Sequence, residues 1–171
     1  IRIEAINKEK DNQTIRVDGF GGAAGLVGLG AAVAYLDVEN NVRAYLNNNV
    51  KVDGAKRLEI FATEENILDT TATGASIGAG AVGASLARSI LIGSIEAYLG
   101  DNVEVRNVDS LTVLAAGTPT ANALAIAGAA GILVGASGAV ATVEVQPVVK
   151  AYLGSGVRVI VNNTANINAE V

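Results

Sequence analysis

The sequence predicts an all-β fold: a parallel β-solenoid, β-helix-like, of three repeats of about 54 residues joined by long Gly/Ala-rich strands. Three observations carry this. A 19-residue block occurs three times without a gap: Ala44–Ala62 (AYLNNNVKVDGAKRLEIFA), Ala97–Ala115 (AYLGDNVEVRNVDSLTVLA) and Ala151–Ala169 (AYLGSGVRVIVNNTANINA), at offsets of 53 and then 54 residues. Within each block apolar and polar residues alternate with period two, the pattern of a half-buried strand. Stacking the copies in register also sets opposite charges over one another. Arg43 meets Glu96, which meets Lys150; Lys51 meets Glu104, which meets Arg158; Arg2 meets Glu59, and Lys56 meets Asp109. Opposite charges on neighbouring strands add roughly 0.2–1 kcal/mol each, so complementary columns favour this stacking.

Taken in order, Ile1–Ala5 (IRIEA) matches the closing strand of a block and stands for the end of a preceding repeat. Asn7–Thr14 is polar and charged and reads as a loop, followed by a short strand at Ile15–Val17. Gly19–Leu36 is an uncharged Gly/Ala run. A helix there would lose roughly 1 kcal/mol at each interior glycine relative to alanine, so long strands with small residues are expected. They would form a thin, flat wall, with Val27, Leu29, Ala31 and Val33 on one face and Gly28, Gly30, Ala32 and Ala34 on the other.

The first block follows. Its second copy shows the pattern most clearly: Ile95, Ala97, Leu99, Val103, Val105, Leu111, Val113 and Ala115 point inward, and Glu96, Tyr98, Glu104, Arg106 and Thr112 point outward. Turns are expected at Asn47–Asn49, Gly100–Asn102 and Gly154–Gly156, whose residues tolerate left-handed backbone or bond their own chain. Thr63–Asn66 reads as a polar loop and Ala116–Thr120 as a turn; Ile67–Ala87 and Ala121–Val143 are the second and third Gly/Ala runs. The chain is then one repeat domain, residues 1–171, with repeats at about 16–70, 71–124 and 125–171.

Composition narrows the function. The chain has 171 residues, 12 Lys and Arg, 17 Asp and Glu, a formal charge of −5, and no His or Cys. Without a Lys/Arg patch, nucleic acid is not expected as a partner. Without Cys there is neither a disulfide framework nor thiol chemistry. The chain opens at Ile1 with no charged and apolar leader, and so reads as a processed or excised fragment.

Apparent motifs are weak. Gly78–Gly83 (GAGAVG) matches the dinucleotide fingerprint, but it lies in a run that recurs without the pattern. Ser110–Val143 has no charge, yet three such spans would put successive blocks on opposite sides of a membrane and break the charge columns; no membrane span is expected. Asp101 and Asn102 could offer oxygens to calcium, but the other copies lack the set, and no metal or cofactor is expected. Asn12-Gln13-Thr14 and Asn162-Asn163-Thr164 match the glycosylation triplet, which by itself means little. The acids stand singly, each facing a base from the next copy, so neither catalytic residues nor an enzyme is expected. One candidate strip remains, the outward column Tyr45, Tyr98 and Tyr152, read either as a ladder that stabilises the sheet or as an exposed binding strip for sugar or a partner.

Gly25–Ala34, Val42–Lys51 and Leu111–Ala115, in this order, resemble the repeats of very large bacterial surface proteins, the filamentous-haemagglutinin-like and leukotoxin-like adhesins. The long Gly/Ala segment departs from the short coils of the simplest β-helices. The resemblance implies an extracellular β-helical stalk on the cell surface, partnered by flanking repeats or other copies and by host or cell-surface glycans, with no active-site residues to carry over. The expected role is structural or adhesive. A self-assembling extracellular filament subunit and a β-helix carbohydrate-active enzyme are the alternatives. Filament growth in continuous register would set Lys150 over Arg43 and Arg158 over Lys51, contacts between like charges.

Overall fold

The chain coils three times around one axis, and every hydrogen-bonded strand pair among the described residues is parallel. The structure is a computed structural model that describes residues 1–8 and 14–171. The first coil holds β2 (Ile15–Leu46), β3 (Lys51–Asp53) and β4 (Arg57–Glu65). The second holds β5 (Ile67–Leu99) and β6 (Glu104–Gly117), and the third β7 (Thr120–Leu153) and β8 (Arg158–Glu170). β1 (Arg2–Lys8) lies one layer below β4, with Arg2 opposite Glu59, so it stands where the end of a preceding coil would be. The fold is the parallel β-solenoid that the repeat predicts.

The pairing follows the sequence period. β2 pairs with β5 at an offset of 53, Arg43 opposite Glu96 and Tyr45 opposite Tyr98. β5 pairs with β7 at 53 up to Gly78–Gly131 and at 54 from Gly80–Val134 onward. The third repeat therefore inserts its extra residue at the fold-back of the Gly/Ala segment, where a bulge leaves both flanking registers intact.

Each coil has a thick and a thin part. The 19-residue block wraps a bulb whose core contains Leu58, Ile60, Ile95, Leu99, Val103, Val105, Leu111 and Val113, all buried. The turn column Asn49, Asn102 and Gly156 takes positive φ of 61°, 55° and 69°, the left-handed backbone that Asn and Gly accept most readily. The Gly/Ala segment leaves the bulb, doubles back, and returns, making a two-layered fin. Thr70 and Ser89, which are 19 residues apart, meet through their hydroxyls at 2.6 Å inside it. The layers sit so close that a Cβ on Gly21 would lie 1.6 Å from the Ala31 carbonyl oxygen, and one on Gly74 2.3 Å from that of Ala84. Ala32, Ala34, Ala72 and Ala87 fill what space remains. Leu36, Leu68 and Leu91 close the neck between fin and bulb.

The expected strands over the Gly/Ala runs are present, and Gly28, Gly30, Ala32 and Ala34 are the buried face while Val27, Leu29 and Val33 point to solvent. Three local expectations are corrected. Asn7 and Lys8 belong to β1 rather than to a loop, because they pair with Glu64 and Glu65; residues 9–13, which include Asn12 and Gln13 of one glycosylation triplet, lie outside the described residues. Ile15–Val17 is the start of a 32-residue strand, not a separate one. Thr63–Glu65 is strand as well, held by pairing to β6 and by a buried polar cluster: Glu64 Oε1 accepts from Asn66 Nδ2 at 2.7 Å and from Asn40 Nδ2 at 3.1 Å.

The two interiors respond oppositely to volume. Leu111→Ala is expected to open a cavity in the bulb and cost about 2–5 kcal/mol. Ala72→Leu is expected to force the fin layers apart and cost about 1–3 kcal/mol or more, although it adds apolar volume. Urea unfolding of both variants measures the difference.

Candidate functional site

The outward columns of the bulb are built by register alone. Side chains one coil apart stand directly over one another, so each column repeats at the strand spacing of about 4.8 Å. Tyr45 and Tyr98 stack with ring centroids 5.0 Å apart and planes within 5°, and Tyr98 and Tyr152 at 4.8 Å and 7°. The structure thus brings the three predicted tyrosines together as a continuous ladder. Both faces of Tyr98 are taken up by its neighbours. A sugar laid on a ring face would find only the outer faces of Tyr45 and Tyr152; the rest of the strip offers ring edges. Partial burial, and then the negative charge of Glu96, push the Tyr152 phenol above its ordinary range.

The adjoining charge column forms as expected: Arg43 Nε lies 3.0 Å from Glu96 Oε2, and Lys150 Nζ lies 3.9 Å from Glu96 Oε1. Glu96 thereby serves two cations from opposite sides. The other columns form only in part. Lys51 reaches Glu104 at 3.6 Å, but the second oxygen of Glu104 is taken by Arg106 of its own strand, while Arg158 holds its register position opposite Glu104 without bonding it. Arg2 bonds Glu4 at 2.8 Å instead of Glu59. Asp109 accepts from Asn162 Nδ2 at 3.0 Å rather than meeting Lys56. In each case a closer partner on the same strand or an amide in the next coil outcompetes the long cation, whose ordering costs side-chain entropy.

The turns form a third column. Asn48 Oδ1 accepts from the Asp101 backbone N–H at 2.8 Å, and Asp101 Oδ1 accepts from the Ser155 N–H at 2.7 Å. One of the Asp101 oxygens that suggested calcium is thus tied into a coil-to-coil bond, and Asn102 donates its Nδ2 to Asn49 Oδ1 at 3.4 Å. Among the described residues, no group of three or more His, Cys, Asp or Glu side chains is placed to hold a metal. Gly78–Gly83 lies at the fin's fold-back on β5, with no helix after it to receive a pyrophosphate. No helix among the described residues is long and apolar enough to cross a membrane.

Two features escaped the sequence reading. In the Glu64–Asn66–Asn40 cluster Glu64 and Asn66 are buried and Asn40 is half-buried, and it joins an acid to amides rather than to a base. Its signal was a set of polar residues at inward positions in one repeat only: Asn40 aligns with Gly93 and Pro147, and Glu64 with Gly117. Arg88 bridges to Glu144 at 3.5 Å and sits 5.8 Å from the Tyr35 ring centre. Arg88 and Glu144 are diagonal neighbours, which column counting cannot pair.

The site is therefore a set of ladders on a parallel β-solenoid. Comparison with protein-family models, with curated proteins and with solved structures returned no match.

The ladders predict an ordered loss of stability. Tyr98→Ala removes two stacking contacts and is expected to cost about twice as much as Tyr45→Ala, with each contact contributing roughly 0.5–1.5 kcal/mol. Glu96→Lys turns the column wholly cationic and is expected to cost about 1 kcal/mol at low salt and less at high salt. Thermal melts across ionic strengths check both. Because the folded state keeps the Tyr152 proton longer than the unfolded chain does, this group leaves stability unchanged below the ordinary phenol range of about 10 and lowers it as pH rises through that range. Ultraviolet phenolate titration, with Tyr152→Phe as reference, measures the displaced step.

Proposed function

We propose that this chain is a structural and adhesive segment of an extracellular bacterial surface protein, a β-solenoid stalk in which coils add length and the outward columns face a partner. One observation carries the reading. Coil stacks on coil in continuous parallel register, and the polar groups at the surface bond either the coil above or below or a neighbour two residues along their own strand. Enzymatic chemistry needs a unique constellation of acid, base or nucleophile. A stalk needs stiffness along one axis, which in-register parallel pairing supplies. The order of segments that resembles bacterial adhesin repeats supports the same reading; on it, flanking repeats or other copies are the neighbours and glycans the targets.

The alternative of a filament subunit draws on a different observation. β2 and β7 are the edge strands of their sheet, and an unpaired edge invites another chain. The like charges that meet when Lys150 stacks on Arg43 oppose continuous growth in register. Antibody against this chain, applied to intact cells of the source bacterium, is expected to label the surface. Electron microscopy of the purified chain is expected to show short separate particles; long filaments would favour the filament subunit. Release of reducing ends from a broad polysaccharide panel would overturn the stalk reading in favour of a carbohydrate-active enzyme.

A further inference from the structure

Composition and geometry together make the tyrosine ladder a reactive feature. Cys and Met are ordinarily the first side chains that oxidants attack. This chain has no Cys, Met, Trp or His, and its readily oxidised side chains are four tyrosines. Three of them are the ladder. Tyr45 and Tyr152 are 45% and 40% exposed, and Tyr98 is half-buried between them. Rings carried on in-register strands point the same way, and these rings stack at 5.0 and 4.8 Å. Each Cε carbon, ortho to the phenol oxygen, therefore has its counterpart on the next ring at about the ring-to-ring distance. The fourth tyrosine is different. Tyr35 donates its hydroxyl to Asp37 at 3.4 Å, and its register column continues in Arg88 and Thr142, not in tyrosine.

We infer that the ladder is an oxidative cross-linking site, at which Tyr98 joins Tyr45 or Tyr152 as dityrosine and staples adjacent coils together. The oxidant is a one-electron oxidant of the haem-peroxidase class, working with hydrogen peroxide. Two phenols each give up one electron and one proton, and one peroxide takes up both electrons and both protons and leaves as two waters. The two phenoxyl radicals pair their electrons in a new Cε–Cε bond. Each joined carbon then gives its hydrogen to its own oxygen, which restores two phenols, so the chain loses two hydrogen atoms per cross-link. Coupling within one chain is favoured because the second phenol is already held one coil away, which spares the entropy of a bimolecular encounter. The joined rings lie edge to edge rather than face to face, so the stack must open. Backbone spacing of about 4.8 Å keeps the pair together while the rings turn, and exposed side chains change rotamer within picoseconds to nanoseconds. Tyr45 and Tyr152 are separated by Tyr98 and by two strand spacings, about 9.6 Å, so Tyr98 belongs to every intramolecular product. The bond closes a loop of 53 or 54 residues and restricts the unfolded chain as a disulfide would, in a chain without cysteine. It requires only the ladder and the composition, whatever the chain adheres to.

The test is to treat the whole chain with a haem peroxidase and hydrogen peroxide over a wide dilution series. The expected product carries the blue fluorescence of dityrosine, migrates as a monomer and is two hydrogen atoms lighter by mass spectrometry. Its yield per chain is expected not to fall on dilution. Protease digestion is expected to release joined peptides that pair Tyr98 with Tyr45 or with Tyr152. Tyr98→Phe keeps the stacked ring and removes the phenol; it is expected to lose the monomeric cross-linked product altogether, while Tyr35→Phe leaves it unchanged. Circular dichroism verifies that both variants keep their strands. Absence of dityrosine from the unsubstituted chain, dityrosine found only in covalent dimers, or a monomeric cross-link that persists in Tyr98→Phe overturns the inference. None of these failures touches the surface-labelling test of the stalk reading.

Discussion

Parallel backbone pairing between coils is the constraint on which the rest depends. Once β2, β5 and β7 are hydrogen-bonded in register, every side chain has its repeat equivalent about 4.8 Å above and below it. A residue type is then acceptable only if it tolerates itself, or a complement, at that distance. Tyrosine stacks on tyrosine, and an Asn or Asp in a turn caps the next turn's N–H. Charges must alternate, as Arg43, Glu96 and Lys150 do. Leu and Val simply extend an apolar column. The recurring Asn turns follow from this requirement.

Fin and bulb apply the same pairing to different interiors. The bulb encloses a volume with three walls and fills it with Leu, Ile and Val, the ordinary hydrophobic solution. The fin has two walls and no volume. Glycine and alanine are there because backbone meets backbone, as the 1.6 Å approach of a notional Gly21 Cβ to Ala31 makes plain. Little apolar area is buried per residue inside, and the larger aliphatic side chains point outward instead. Stability in the fin thus leans on the coil-to-coil ladder. Hydroxyl bonds between its layers add to this: Ser89 Oγ donates to the Asn122 carbonyl at 2.8 Å as well as meeting Thr70.

Long cations choose partners locally. Glu104 is shared between Lys51 and Arg106 rather than passed on to Arg158, and Arg2 turns to Glu4 two residues along its own strand. A charge column read from register is an electrostatic tendency, worth tenths of a kcal/mol for exposed pairs. It becomes a fixed geometry where one acid is half-covered between two bases, as Glu96 is. Charge is accordingly matched along the solenoid axis at Glu96 and within single strands at Arg2 and Arg106.

The sequence by itself determined the solenoid, its period, the inward and outward assignment of the block, the three turns and the tyrosine ladder. It did so because a repeat in parallel register makes long-range neighbours a matter of counting: Tyr45, Tyr98 and Tyr152 are adjacent as soon as the offsets of 53 and 54 are known. Tertiary structure alone decided that each Gly/Ala run doubles back on itself, since period-two alternation is the same in a straight strand and in a folded one. It decided that the third repeat's extra residue sits at the fold-back, where a bulge disturbs neither register. It also joined Asn40 to Glu64 and Arg88 to Glu144. Those contacts run across the coil or diagonally between coils, and their geometry depends on how closely two layers approach, a distance that no linear spacing encodes.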